Sequence, residues 1–299
     1  MQNVSASIAL LTSNVLVCLA LILLRHSAAD ASLRSFYLLA ANGVAGLLGF
    51  LPPRKENELK LDRPSLAVAV WSACYCAEYG IFLVYPRLIS LSQLIVCNSL
   101  APLAAVYLSQ DARRTHLNAS RKLFATAPVL LLLGISYLEG VRSASLSVFA
   151  GSILLVVFLT VVCSQSCARY VARTKSPGWS QPRLTILNAV FLAIVLCLVL
   201  GTSRIRLLAS INMALCLGFG AMVLAIQRLY VYGLKRADPF ISAMTLCTIV
   251  PISLGMEMIF EHRMLGSAEI ILAAGYVLSN AVLAKWATRN GQANDNALV

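Results

Sequence analysis

Charged side chains are scarce in this sequence: they make up 12% of its 299 residues, whereas a soluble domain carries roughly a quarter. That shortage excludes an ordinary water-soluble fold. Histidine is scarcer still, with three residues (His26, His116 and His262) standing alone in separate connectors. The acidic residues form no cluster either, so a metal centre or a general acid and base pair is not expected. No basic residue precedes the apolar stretch from Val4 to Leu24, which is long enough to span a bilayer and so does not read as a signal peptide. No connector is long enough to be a separate domain.

What is present is apolar. Hydrophobic residues reach 59% and the mean hydropathy is +0.81, as expected where each helix presents about 20 mostly uncharged residues to hydrocarbon. The formal charge of +12 sits between apolar runs rather than along one face, which sets nucleic acid aside as a partner. Most of the nine cysteines lie within apolar segments and read as small hydrophobes, with neither zinc-site nor disulfide spacing.

Apolar runs and their charged or proline-bearing breaks predict an all-α integral membrane protein of ten spans, near 5–24, 35–51, 65–85, 89–109, 123–138, 145–165, 184–201, 208–232, 239–260 and 267–285. Sixteen Lys and Arg residues, Arg169 among them, fall in the even-numbered loops and the tail, and seven fall in the odd-numbered loops. Basic loops are held on the cytoplasmic side. The expectation is a multi-pass protein of the cytoplasmic membrane with both termini inside.

Five spans before Glu139 and five after it predict two halves, 1–138 and 139–299, the second inverted because the number of spans per half is odd. Landmarks recur at an offset of 149: Arg87 and Arg236, Pro102 and Pro251, Arg34 and Arg183. Pro102 and Pro251 are expected to kink their helices, since each removes a backbone hydrogen bond, and matched kinks could serve rocking motion or shape a static cavity.

The segments RLISLSQLIVCNSLAPLAAVYLSQDARR (87–114) and KRADPFISAMTLCTIVPISLGMEMIFEHRMLGSAEIILAAGYVLSNAVL (235–283) each combine small residues, a central proline, an acidic exit and a glycine-bearing last helix. This pattern resembles the drug/metabolite transporter superfamily in its ten-span form, built from two inverted EamA-type five-helix repeats. The acidic residue follows the proline sooner here than in the usual pattern. The resemblance implies secondary-active movement of a small organic solute, often as an exporter, through a central cavity opened alternately to each side, and it does not fix the substrate. A lipid or lipid-linked glycan translocator and a polytopic enzyme acting on a lipid-linked substrate are the alternatives.

Ionisable groups at membrane depth cost several kcal/mol and invite a functional reading. Glu78 lies between Tyr75 and Tyr79 in the third span, and Trp71, Tyr75, Glu78 and Phe82 share one helical stripe. Glu78 could carry a coupling proton, face a cationic solute, or pair with a basic residue. The offset sets Gln227 opposite Glu78 and Arg228 opposite Tyr79. Arg228 could pair with Glu78, contact an anionic group on the solute, or snorkel to the interface. Asn98, Asn14, Gln165, Asn188 and Asn212 are uncharged and polar, equally suited to a cavity or to interhelical hydrogen bonds. Glu257 lies near the outer end of the ninth span, where a small tilt would bring it to water. The expected partners are a small solute and the lipid bilayer, with protons as the candidate coupling ion and with no cofactor and no metal.

Overall fold

In the computed structural model the described residues are 2–27, 31–50, 63–84, 148–173, 185–194, 212–260 and 270–279, with isolated positions between 99 and 134 and beyond 260. Almost all of them are helical. In chain order the helices are α1 (Gln2–Ser27), α2 (Ala31–Phe50), α3 (Arg63–Val84) and α4 (Val148–Ala172), then α5 (Thr185–Ile194). They continue with α6 (Met213–Arg236), α7 (Pro239–Cys247) and α8 (Ile249–Phe260), and α9 (Ile270–Ser279).

Among the described residues, four stretches are long and apolar enough to cross a membrane: Val4–Leu24, Leu155–Ala172, Met213–Arg236 and Ile241–Phe260. Only 22% of the Met213–Arg236 window is buried inside the protein, yet the exposed side includes Met213, Leu215 and Leu217. A helix that is apolar on its outward face as well as its inward one is adapted to lipid. The same holds for Leu155, Val156 and Leu159 on α4. The protein is therefore a helical membrane protein.

Local signals set several helix ends. Asn212 caps α6, its side-chain oxygen accepting from the N–H groups of Ala214 at 3.0 Å and Leu215 at 3.4 Å. Asp238 starts α7 the same way, accepting from Ile241 N–H at 3.2 Å, with Pro239 at the first helical position, where its missing donor costs nothing. The end of α4 departs from the expected limit near 165. The helix continues to Ala172 because Ala168, Val171 and Ala172 extend the buried apolar stripe and no breaker intervenes before Pro177. Arg169 is consequently 6% exposed inside a helix and does not belong to the solvated connector in which the charge count placed it.

The stretch 239–260, expected as one helix, is two. α7 stops at Cys247 and α8 begins at Ile249, with Thr248 in a turn between them. The break falls three residues before Pro251, which has no N–H to offer the carbonyl of Cys247, four residues earlier.

The packing has an internal correspondence. α1 lies along α6 and α3 lies along α4; shifting α1 by 149 residues lands on α4, and shifting α3 lands on α6. α2 lies along α6, and its shifted counterpart α5 meets α3 through Ser72 and Cys76. Close approach at these seams depends on glycine. A Cβ on Gly233 of α6 would collide with the Leu10 side chain and stand 3.0 Å from the Ala6 carbonyl of α1. On Gly220 it would collide with Val44 of α2. Small residues at interhelical contacts are how membrane helices gain packing without a hydrophobic driving force.

Candidate functional site

The seam of α1, α2, α3 and α6 does not close completely. Between them lies a partly open cavity with an interior of about 100 Å³. Aliphatic side chains of α1, α2 and α6 form most of its wall, and the ring-bearing and polar groups are Tyr37 of α2, Tyr75 of α3, and Phe219 and Gln227 of α6. Tyr37 and Phe219 meet at a tilted ring contact, 6.3 Å between centroids and 60° between planes. The Tyr37 hydroxyl also accepts the N–H of Asn212 at 3.1 Å, which anchors this ring to the start of α6.

Gln227 is the distinctive polar group of the wall. Its Oε1 is buried and has no hydrogen-bond partner among the described residues, whereas the great majority of buried polar atoms in folded proteins are paired.

The structure separates residues that the sequence grouped together. Tyr75 and Gln227 meet in the cavity. Trp71, one turn from Tyr75, is instead in the apolar cluster with Leu10, Val68 and Val231, its ring 6.2 Å from that of Tyr230. Arg228, next to Gln227, is exposed and not in the wall. The side chains of Glu78 and Tyr79 and the whole of Asn98 lie outside the described residues, although the backbone at 78 and 79 belongs to α3. Glu257 does not reach water: it is 4% exposed, since it continues the buried face of α8 through Val250, Ser253 and Leu254. Pro102 is helical and buried, and Pro251 is partly buried in the first turn of α8.

Beside the cavity, the break between α7 and α8 is fastened to its neighbours. The Asn14 amide of α1 donates to the carbonyls of Thr245 at 3.1 Å and Leu246 at 3.2 Å and to the Thr248 hydroxyl oxygen at 3.3 Å. The Thr248 hydroxyl donates to Thr245 O at 2.6 Å. The carbonyl of Cys247, deprived of a donor by Pro251, takes the Tyr276 hydroxyl of α9 at 2.6 Å. Three consecutive carbonyls at the break thus each have a side-chain donor, as hydrocarbon surroundings demand of irregular backbone. The Cys247 thiol reaches Ser99 O at 2.8 Å, so the two proline-bearing segments meet, Ser99 standing three residues before Pro102.

The remaining polar residues hold helices together. Ser72 of α3 donates to Asn188 Oδ1 at 2.6 Å, Asn188 donates to Asn42 Oδ1 at 3.3 Å, and Asn42 donates to Leu38 O at 2.9 Å, joining α3, α5 and α2. Tyr230 of α6 donates to Gln165 of α4. Sequence reading missed Tyr37 and Tyr276, because an isolated tyrosine in an apolar run carries no spacing signal. Among the described residues no group of three or more His, Cys, Asp or Glu side chains could hold a metal ion.

No protein-family model and no curated protein matches the sequence. A solved structure, described only as the crystal structure of a protein, is similar over 96% of this chain and 99% of its own length, with a TM-score of 0.66 at 16% identity. The likeness is one of fold. Fold and site together define a polytopic helical membrane protein with a small ring-walled cavity at the junction of four helices.

Proposed function

We propose that this protein is a secondary-active carrier that moves a small organic solute across a cytoplasmic membrane by alternating access, in the export direction, with ten spans arranged as two inverted five-helix halves. The observation that carries the reading is the cavity between α1, α2, α3 and α6, walled by Tyr37, Tyr75, Phe219 and Gln227. Concave, mostly apolar sites with few polar groups are the usual form of a small-molecule site, and sites between helices near a broken span are the usual form in carriers.

Two further features support it. The exchange of packing partners at an offset of 149 is what duplicated halves would produce, and the α7/α8 break supplies the bending point that rocking requires. The interior of about 100 Å³ is below the several hundred Å³ of sites for drug-sized ligands, which favours a small solute. Glu78, on the same helix as Tyr75, is the candidate for proton coupling.

The test is transport by purified protein in proteoliposomes under an imposed proton gradient, using pooled labelled metabolites to find the solute. Tyr75→Ala is expected to reduce transport at least tenfold, equivalent to about 1.4 kcal/mol of lost interaction. Glu78→Gln is expected to leave solute binding and remove dependence on the gradient. Proton-linked transport that survives in Glu78→Gln would take this carboxyl out of the mechanism, and wild-type liposomes that move no solute would overturn the carrier reading itself.

A further inference from the structure

The chemistry of the cavity wall narrows the class of solute. Resting on the carrier reading for the cavity's purpose, we infer that the cavity binds an uncharged, ring-sized solute carrying one hydrogen-bond donor, and that Gln227 Oε1 is the acceptor that reads it.

Three observations carry this. The first is the unpartnered Oε1 of Gln227. A buried carbonyl left without a donor is unfavourable, and α6 would lose nothing in helix propensity by carrying leucine there. A glutamine so placed has an explanation if the missing donor arrives with a ligand. The second is the absence of charge: the described wall contains no Asp, Glu, Lys, Arg or His. An ion desolvated here would find no counter-charge in that wall, and an unpaired buried ion is far more costly than an unpaired dipole. The third is shape. Rings of Tyr37, Tyr75 and Phe219 contribute to the wall, and offset or tilted ring contacts favour a flat aromatic body. An engineered apolar cavity of about 150 Å³ accepts benzene, so an interior of about 100 Å³ calls for a single ring at most, with slight widening.

The roles follow from these features. The ring of the solute packs between Tyr75 and the Tyr37 and Phe219 pair, and a turn of the Gln227 amide presents its Oε1, buried in the ligand-free protein, to the solute's O–H or N–H. The neighbouring Arg228 is exposed and takes no part.

The experiment is thermal unfolding of the full-length protein in detergent with four probes at neutral pH: phenol, fluorobenzene, benzoate and benzylammonium. Phenol and fluorobenzene have nearly the same shape, and only phenol offers a donor. A ligand that binds the folded state raises the melting temperature with concentration. The expected result is that phenol raises Tm at concentrations at least tenfold below those needed with fluorobenzene, and that neither ion matches phenol. Gln227→Leu is expected to abolish the difference between phenol and fluorobenzene and, because it deletes an unpaired buried carbonyl, to raise the Tm of the ligand-free protein.

A glutamine with a merely structural role would give the opposite sign, a lower Tm in Gln227→Leu. That outcome overturns the inference. So does an equal response to phenol and fluorobenzene in the wild type, or a stronger response to either ion. The two readings fail separately: donor-selective binding without any transport in liposomes removes the carrier reading alone, and transport with no donor selectivity removes this one alone.

Discussion

Asn14→Leu is expected to destabilise the detergent-solubilised protein by about 2 kcal/mol, the scale on which an orphaned buried carbonyl is penalised, and to lower its Tm by several degrees. The two side chains are similar in volume, so the change removes donors without opening a cavity. Asn14 is 4% exposed, and its amide is the side-chain donor to Leu246 O at 3.2 Å. Thr245 O keeps the Thr248 N–H at 3.1 Å and the Thr248 hydroxyl; the loss therefore falls on Leu246. Because α1 also walls the cavity through Val17, Ala20 and Leu21, the same substitution removes the polar fastening between the break and a helix of the site. Melting curves that differ by less than a degree would show that the break is held by something other than Asn14.

Gly233→Val is expected to cost more, about 3 kcal/mol, at the upper end of what overpacking an interior does. The first added carbon already overlaps Leu10 and stands 3.0 Å from the Ala6 carbonyl. Backbone cannot give way without parting α1 from α6, a seam that also bounds the cavity. Gly218 provides the control on the same helix. It has no atom within 4 Å of an added Cβ, so Gly218→Ala is expected to stabilise the protein by roughly 0.5–1 kcal/mol through helix propensity. Measured by thermal or denaturant unfolding, equal effects at the two glycines would refute the packing argument and leave only propensity.

The legibility of this protein divides at the level of the helix face. The described helices are readable because lipid imposes its demand over about 20 residues at a time: 5–24 lies within α1, 65–85 is within two residues of α3 at either end, and 208–232 overlaps most of α6. The ends were less readable where charge alone was used to place them. Arg169 looked like a connector residue because it is basic, yet it is enclosed beside Ala168, Val171 and Ala172 on α4. Glu257 looked interfacial because it is acidic and near a span end, yet it continues the buried face of α8.

Stripe and offset single out Tyr75 and Gln227 in the sequence, and the structure places both in one cavity wall. Their sequence neighbours Trp71 and Arg228 go elsewhere, one into an apolar cluster and the other to the surface. A helical stripe says which residues share a face, but a face one turn long can border a cavity at one end and a packed neighbour at the other. The break at Thr248 was similarly half visible. Pro251 announced that the Cys247 carbonyl would lack its donor, and nothing in the order of residues announced that Tyr276, 29 residues later, would supply one.

By itself, then, the amino-acid order determined that this protein is built of membrane-length apolar helices, the placement of the described ones and the interruption before Pro251, because each follows from local chemistry that a short window contains. Which side of each helix meets protein, lipid or cavity was decided only by the tertiary structure. The reason is physical: an outward leucine in hydrocarbon and an inward leucine in a packed seam satisfy the same apolar requirement, so composition does not tell them apart. The distinction comes from contacts such as Gly233 against Leu10 and Asn14 against the broken span, which join residues more than 200 positions apart.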